Sequence, residues 1–207
     1  MATAVKICGI TRIEDALVAA HSGAHAVGMI FYPKSPRFVD GDVAAGIVKA
    51  LPPFVTPVAL FVDQPAAQIA RAIETVRPQL LQFHGDEAAD FCRSFGLPYI
   101  KAVRVKAGVD LLQYARQYPD AKGLLLDAFV EGSHGGTGSA FDWSLIPREF
   151  PLPLILAGGL DPDNVGEAVR RVKPWAVDVS SGVEATRGIK DAAKVAAFIR
   201  GVRNADA

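Results

Sequence analysis

Two stretches near the C-terminal end organise the chain: Leu154-Ile155-Leu156-Ala157-Gly158-Gly159-Leu160-Asp161-Pro162 and Ala176-Val177-Asp178-Val179-Ser180-Ser181-Gly182-Val183-Glu184. Each begins as a short apolar strand and ends in a turn of small residues, whose backbone N–H groups can bind an anion. Asp161 predicts a helix N-cap, with Pro162 at the first helical position. Gly158 and Gly159 would then lie beside a helix N-terminus, where phosphate is favoured. Each turn alone is often only a strand-to-loop connection, but the pair on consecutive strands predicts one phosphate site, as in a (β/α)8 barrel.

The rest of the sequence alternates between strand and helix patterns. Apolar runs recur about every 20 to 30 residues, and most are separated by apolar positions at i, i+3, i+4 and i+7, the pattern of a half-buried helix. The runs predict six further strands, at residues 5–8, 26–31, 57–62, 80–84, 99–105 and 123–127. Thr11 and Glu14 predict a capping box for the first helix, and Gly23 predicts its end.

A glycine-rich loop at 131–138 interrupts this period after the sixth strand and leaves only a short candidate helix near 142–146. Long loops in compact domains are usually functional or disordered. The whole pattern predicts an α/β fold, a compact single-domain (β/α)8 TIM barrel over residues 1–207, with the helix after strand six short or missing. A doubly wound open sheet is the alternative, but the first turn, Cys8-Gly9-Ile10-Thr11, lacks the G-x-G-x-x-G pattern of a dinucleotide site.

Composition indicates a protein that binds a small molecule. Half of the residues are apolar and the formal net charge is +0, so no overall field attracts nucleic acid or an anionic membrane. The two cysteines, Cys8 and Cys92, form neither a disulfide framework nor a metal cluster, and Cys92 on an apolar helical stripe is interpreted as core filler. The N-terminus enters a strand without a signal-type segment, and no apolar run reaches the ~18 residues of a membrane span. We therefore expect a cytoplasmic protein.

Polar side chains occur where the predicted strands end, and in a barrel those ends share one mouth. Strand alternation places the carboxylates and the hydroxyl among them in the inward-facing phase. We therefore expect these side chains to face a common site: Cys8, Gln82, His84, Asp127, Asp178 and Ser180.

From the residues alone, each candidate has a structural alternative. Cys8 is either a small apolar filler or an acid–base thiol whose ionisation Lys6 favours. Asp127 inside the barrel is costly unless paired, so it is either a catalytic carboxylate or a salt-bridge partner of Lys6 or Lys101. His84 is equally a catalytic base or a hydrogen-bonded core histidine.

Six blocks of sequence span nearly the whole chain. They are Lys6-Ile7-Cys8-Gly9-Ile10-Thr11; Gly28 with Phe31-Tyr32-Pro33-Lys34-Ser35-Pro36-Arg37; Leu81-Gln82-Phe83-His84-Gly85; Leu126-Asp127 with Gly135-Gly136-Thr137-Gly138; Leu156-Ala157-Gly158-Gly159-Leu160; and Asp178-Val179-Ser180-Ser181-Gly182-Val183-Glu184. Together, and in this order, they resemble the phosphoribosylanthranilate isomerase family of tryptophan biosynthesis.

The resemblance implies an isomerase that needs no cofactor and no metal. Its reaction would be the Amadori rearrangement of N-(5-phosphoribosyl)anthranilate to 1-(2-carboxyphenylamino)-1-deoxyribulose 5-phosphate. Such a reaction needs an acid to open the ribose ring and a base to remove the C2′ proton. In the family pattern Asp127 matches the acid and Cys8 the base. The partner is a small phosphosugar, with no nucleic acid or membrane, and the protein would be a monomer or a homodimer.

The resemblance also implies the ligand-binding residues. Arg37 matches the residue that binds the anthranilate carboxylate, a planar anion that suits a guanidinium, although alone it is equally a solvated loop charge. His84 is placed with Arg37 among the substrate-binding residues. The loop at 132–138 is expected to be a mobile cover that excludes water. The phosphate-binding residues are Gly158, Gly159, Ser180, Ser181 and Gly182.

Two other functions are compatible with the predicted scaffold. One is another phosphate-binding barrel of the same pathway, similar to indole-glycerol-phosphate synthase or tryptophan synthase α, which would lack the cysteine motif of strand one. The other is a non-catalytic phosphosugar-binding or regulatory protein, because fold alone does not fix function. The presence of both Cys8 and Asp127 counts against the second.

Overall fold

Eight parallel strands close into a barrel in chain order. The computed structural model describes residues 2–106, 108–128, 142–147 and 149–207. The predicted barrel is confirmed, the open sheet is wrong, and the first six strands lie within one residue of their predicted bounds. The strands are β1 (Ala4–Cys8), β2 (Ala26–Ile30), β3 (Thr56–Phe61), β4 (Leu80–Phe83), β5 (Tyr99–Val105), β6 (Leu124–Ala128), β7 (Leu154–Leu156) and β8 (Ala176–Val179), followed by a small hairpin of β9 (Glu184–Thr186) and β10 (Ile189–Lys190).

Helices cover the outside of the barrel. They are α1 (Ile13–Ser22), α2 (Gly41–Ala50), α3 (Ala66–Val76), α4 (Ala89–Arg93), α5 (Leu111–Gln117), α6 (Val165–Val172) and α7 (Ala192–Asp206). Between β6 and β7 the described residues form only one 3-10 turn, Trp143–Leu145, as expected for a short or missing helix. The cover predicted at 132–138 lies outside the described residues. No helix in the described ranges is long and apolar enough to cross a membrane.

Side chains alternate between the inside of the barrel and the layer beneath the helices. In β6, Leu124 and Leu126 belong to the main core, whereas Leu125 belongs to a separate cluster within the barrel. Asp127 shares the inward phase of Leu125, because side chains of a strand have a period of two. The pairing of β1 with β8 sets Lys6 beside Asp178. Local alternation and strand register thus place polar groups inside the barrel.

The capping box predicted for the first helix is wrong. α1 begins after Arg12, whose side chain makes no cap hydrogen bond. Thr11 Oγ1 instead donates to the carbonyl oxygen of Gly188, in the β9–β10 hairpin. The Thr11 hydroxyl therefore binds a residue distant in sequence and not the backbone of the first helix, as the local pattern predicted. The predicted end of the helix at Gly23 is confirmed, and its φ of +100° is the left-handed conformation typical of that position.

The helix after β7 begins later than predicted. α6 starts at Val165, with Asn164 as its N-cap. The carboxylate of Asp161 accepts hydrogen bonds from the backbone N–H groups of Asp163 and Asn164, both at 2.9 Å. Asp161 therefore stabilises an Asx-type turn ahead of the helix rather than the first helical turn. The glycine turn after β7 is separated from the helix N-terminus by this extra turn.

Candidate active site

A cavity of about 450 Å³ opens where the barrel strands end. Its volume is typical of a small-molecule site. All but one of the site residues predicted from the sequence line it: Cys8, Arg37, His84, Asp127, Gly158, Gly159, Ser180 and Ser181. The exception, Gly182, packs against the turn after β7 in the wall of this cavity. The fold thus gathers residues from most of the chain length into one site.

The turns after β7 and β8 are in direct contact. Gly158 and Gly159 have φ values of +79° and +65°, in the left-handed region that favours glycine. A Cβ on Gly182 would lie only 2.0 Å from the carbonyl oxygen of Leu160, so a side chain at this position would push the two turns apart. Ser180 Oγ is buried and has no hydrogen-bond partner within the described part of the chain. Buried polar atoms normally have a partner, so this hydroxyl is available to a ligand in the cavity.

Cys8 neighbours a buried ion pair between Lys6 and Asp178, whose Nζ and Oδ1 atoms are 2.9 Å apart. Gly28 makes room for this arrangement, since a Cβ there would lie 2.8 Å from Cys8 Sγ and 3.0 Å from Lys6 Nζ. Burial raises the pKa of the Cys8 thiol above its usual value; the Lys6 cation opposes the rise and the Asp178 carboxylate adds to it. Lys6 thus favours the thiolate, as predicted, but burial outweighs it and Cys8 rests as a thiol.

Asp127 contacts a histidine. Asp127 Oδ2 lies 3.2 Å from His84 Nε2, and Nδ1 of the same ring lies 3.0 Å from Gln82 Nε2. An amide nitrogen can only donate, so Nδ1 accepts and the hydrogen-bond pattern assigns the hydrogen of the neutral ring to Nε2. His84 therefore donates to one carboxylate oxygen of Asp127 and leaves Oδ1 outside that hydrogen bond.

Neither salt bridge considered for Asp127 from the sequence is formed. Lys6 pairs with Asp178, and Lys101 lies in the outward phase of β5, where it pairs with Glu87 at 3.1 Å. Lys101 Nζ also donates to the backbone carbonyls of Phe83 and Gly85, the two residues that flank His84. Lys101, considered from the sequence as a partner of Asp127, thus stabilises the backbone around His84, the histidine that contacts Asp127.

Arg37 is buried rather than a solvated loop charge, with 7% of its surface exposed. Its Nε and Nη2 donate to Glu184 Oε1 and Oε2 at 2.6 and 2.9 Å, a two-point contact. Lys190 Nζ lies 3.1 Å from Glu184 Oε1 and also donates to the carbonyl oxygen of Ser180 at 3.0 Å. Sequence reasoning gave no role to Glu184 or Lys190. The one available signal was that Glu184 ends the motif of β8.

Cys92 is buried, as predicted for core filler. Burial raises the pKa of its thiol to about 12, so it is unreactive at neutral pH. The two cysteines of the chain therefore differ in setting: Cys8 lines the cavity, and Cys92 is the buried residue of α4 and belongs to the core.

Comparison of the sequence with known families and proteins gives one consistent match. The family described as N-(5'phosphoribosyl)anthranilate (PRA) isomerase matches residues 5–201. The N-(5'-phosphoribosyl)anthranilate isomerase of Nitrosospira multiformis is 59% identical over 202 residues, which cover 98% of this chain and 97% of that protein. The protein of the same name from Pseudomonas aeruginosa is 59% identical over 203 residues, with 98% and 96% coverage.

Solved structures share the barrel. The crystal structure of phosphoribosyl anthranilate isomerase from Thermotoga maritima has a TM-score of 0.90 and 42% identity, covering 98% of this chain and 99% of that one. A crystal structure of phosphoribosyl anthranilate isomerase in complex with reduced 1-(o-carboxyphenylamino)-1-deoxyribulose 5-phosphate has a TM-score of 0.87 and 41% identity, with the same coverage. A 3-hexulose-6-phosphate synthase from Salmonella typhimurium, 12% identical with a TM-score of 0.71, shares the fold alone. The family match and the identity along the whole chain show that this protein belongs to the N-(5'-phosphoribosyl)anthranilate isomerase family of enzymes.

Proposed function

We propose that this enzyme of tryptophan biosynthesis converts N-(5-phosphoribosyl)anthranilate to 1-(2-carboxyphenylamino)-1-deoxyribulose 5-phosphate, with Asp127 as general acid and Cys8 as general base. The observation that carries the proposal is that one cavity is lined by this carboxylate, this thiol, a buried arginine and the two small-residue turns. A substrate with a phosphate at one end and a carboxylate at the other needs an anion-binding group at each end and a proton donor and acceptor between them.

Asp127 starts the reaction by protonating the ribose ring oxygen. The C1′–O bond then breaks and the nitrogen lone pair forms a protonated Schiff base. The oxygen Oδ1 is suited to this step because the hydrogen bond from His84 engages Oδ2. For this step the carboxyl group carries its proton on Oδ1, and His84 keeps the group in one orientation.

Cys8 completes the reaction as a thiolate that removes the C2′ proton. The electron pair of the broken C–H bond forms the enolamine, which tautomerises to the aminoketose as its 2′-hydroxyl loses a proton and C1′ gains one. Proton exchange with solvent then removes the proton from Cys8 and returns one to Asp127. Because burial raises the pKa of the Cys8 thiol, the thiolate is a minority species near neutral pH, and the adjacent Lys6 stabilises it electrostatically when it forms. The pair of Lys6 with Asp178 keeps this cation next to the thiol.

The two ends of the substrate are bound by separate groups. The phosphate is assigned to the turns at 158–159 and 180–182, through backbone N–H groups and the Ser180 hydroxyl, which has no partner among the described residues. The anthranilate carboxylate is assigned to Arg37, whose contact with Glu184 uses Nε and Nη2, so that a second carboxylate would use Nη1. The reduced compound bound by the solved relative carries both a phosphate and a carboxylate, which supports this arrangement.

The test is direct turnover. The unstable substrate is generated in situ from its precursors, and its anthranilate fluorescence is followed after addition of the purified protein. We expect fluorescence to fall in proportion to protein concentration and the aminoketose to be recovered as product. The absence of any loss above the protein-free rate would overturn the proposal. A parallel assay on the related aminoaldose of histidine biosynthesis defines the substrate range.

Three finer expectations stay predictions. They are a cytoplasmic location, a single domain over the whole chain, and a monomer or homodimer. A relative from Thermotoga maritima is described as dimeric, which makes sedimentation analysis of this protein informative.

A further inference from the structure

Glu184 lies between two buried cations. Its Oε1 atom is 2.6 Å from Arg37 Nε and 3.1 Å from Lys190 Nζ, and its Oε2 atom is 2.9 Å from Arg37 Nη2. All three residues are at most 8% exposed. Burying three charges together costs free energy of folding that only close pairing offsets. An arrangement of this kind therefore indicates a role in the site.

The charge group formed by Arg37, Glu184 and Lys190 also contacts the turn after β8. Lys190 Nζ donates to the carbonyl oxygen of Ser180 at 3.0 Å. At Gly9, whose φ is +71°, an added Cβ would lie 2.5 Å from Arg37 Cδ and 2.8 Å from Ser180 Oγ, so the arginine stem and the serine hydroxyl pack against one glycine. The arginine and the phosphate turn are therefore connected both by ion pairs and by packing.

The charges of the group do not cancel. Two cations and one carboxylate leave one positive charge, which a second carboxylate from a ligand would neutralise. Burial raises the pKa of Glu184, but the hydrogen bonds and charges of Arg37 and Lys190 outweigh it, and the net effect lowers the pKa. Glu184 is therefore ionised at neutral pH and binds the arginine by both oxygens.

We propose that Glu184 and Lys190 are positioning residues that hold Arg37 for the carboxylate of the substrate and fix it relative to the phosphate turn. This proposal rests on the proposed function, because it takes Arg37 as the carboxylate-binding residue. Glu184 engages two of the three guanidinium nitrogens and fixes the plane of the group. Lys190 joins Glu184 to Ser180 and so sets the distance between the two anion-binding ends of the site.

The test compares two ligands on the variant Glu184→Gln. The first ligand is reduced 1-(o-carboxyphenylamino)-1-deoxyribulose 5-phosphate, and the second is the same compound made with aniline, which lacks the carboxylate. We expect affinity for the first to fall at least about tenfold and affinity for the second to change less than about threefold, because only the first depends on the orientation of Arg37. Turnover should show the same division, with KM raised about tenfold and kcat within about threefold.

The control is Glu167→Gln, which removes the same charge from an exposed pair with Arg171 on α6 and should leave both affinities unchanged. Equal losses for both ligands would show a merely structural role for Glu184 and would overturn the proposal. Tighter binding of the carboxylate ligand would also overturn it, since Glu184 would then be a competitor for Arg37. If the wild-type protein turns over no substrate, the proposed function fails instead.

The second positioning residue is tested with Lys190→Met, which keeps the length of the stem and removes the charge. The same two ligands are compared, with the same expected division of affinities and the same contradicting result as for Glu184→Gln. A measurement on the unaltered protein covers the case in which the variants do not fold. The Arg37 Nε–H signal in a nitrogen-15 NMR spectrum of the unliganded protein should exchange slowly with water, because the group is buried and donates to Glu184. Rapid exchange of that hydrogen would show that the pair does not persist and would refute the proposal.

Discussion

Replacing Gly182 by alanine should separate the two turns that the proposed function assigns to phosphate. The added Cβ would lie 2.0 Å from the carbonyl oxygen of Leu160 and 3.1 Å from the Cα of Asp161, and both neighbours are backbone atoms that no rotamer change can move. Because real Cβ contacts stay beyond 3.0 Å, the gap must open by about 1 Å, the difference between 3.0 and 2.0 Å. If phosphate binds between these turns as proposed, we expect a shift of that size to break at least one of its hydrogen bonds.

A hydrogen bond to a charged group contributes about 1.5 to 3 kcal/mol, so we expect phosphate affinity to fall about 10- to 100-fold. Overpacking of this kind typically costs about 1 to 3 kcal/mol of folding stability, which lowers Tm by roughly 2 to 12 °C in a protein of this size. Calorimetric titration with inorganic phosphate gives the first quantity and a thermal melt the second. The KM of the substrate should rise with the dissociation constant of phosphate.

The matched control is Gly46→Ala in the interior of α2, where an added Cβ meets only Ile13 Cδ1 at 3.9 Å. That substitution should leave phosphate affinity unchanged and raise stability by about 0.5 to 1 kcal/mol, because alanine favours the helix. A Gly182→Ala protein that binds phosphate as tightly as the parent would refute the assignment of phosphate to these turns.

Three further outcomes follow from the site. Cys8→Ala and Asp127→Asn should each fold and lose at least about 10² to 10⁴ in kcat with little change in ligand affinity. The control Cys92→Ala should keep its turnover. A near-parental kcat for Cys8→Ala would show that Cys8 only fills the core. Arg37→Ala should raise KM about 10- to 100-fold and should also lower Tm, because it leaves Glu184 with one cation fewer. KM and Tm are both compared with those of the control Arg171→Ala, which alters an exposed arginine. The raised pKa of the Cys8 thiol predicts that its alkylation by iodoacetamide in the parent enzyme speeds up about tenfold per pH unit from about pH 7 to 9, because the thiolate is the nucleophile; an alkylation rate that does not change with pH over that range would contradict this.

Much of the site was predictable because its parts depend on short-range patterns. The period of two in β6 gives the inward direction of Asp127 from four consecutive residues. The small residues after β7 and β8 mark turns whose backbone conformations glycine favours, and those turns do line the cavity. Local signals failed at the starts of two helices. Thr11 binds Gly188 instead of capping its own helix, and Asp161 stabilises a turn ahead of the helix it was expected to cap.

The sequence by itself determined the barrel, the mouth at which the strands end, and the placement there of a thiol, a carboxylate and two small-residue turns, because helical and strand periodicity are properties of neighbouring residues. The tertiary structure alone decided which charges pair. Arg37 and Glu184 are 147 positions apart, and Lys6 and Asp178 are 172 apart, so only the closure of the barrel brings each pair together. It also decided the resting state of Cys8, since a pKa depends on burial and on the charges that several strands bring within a few ångströms of the sulfur.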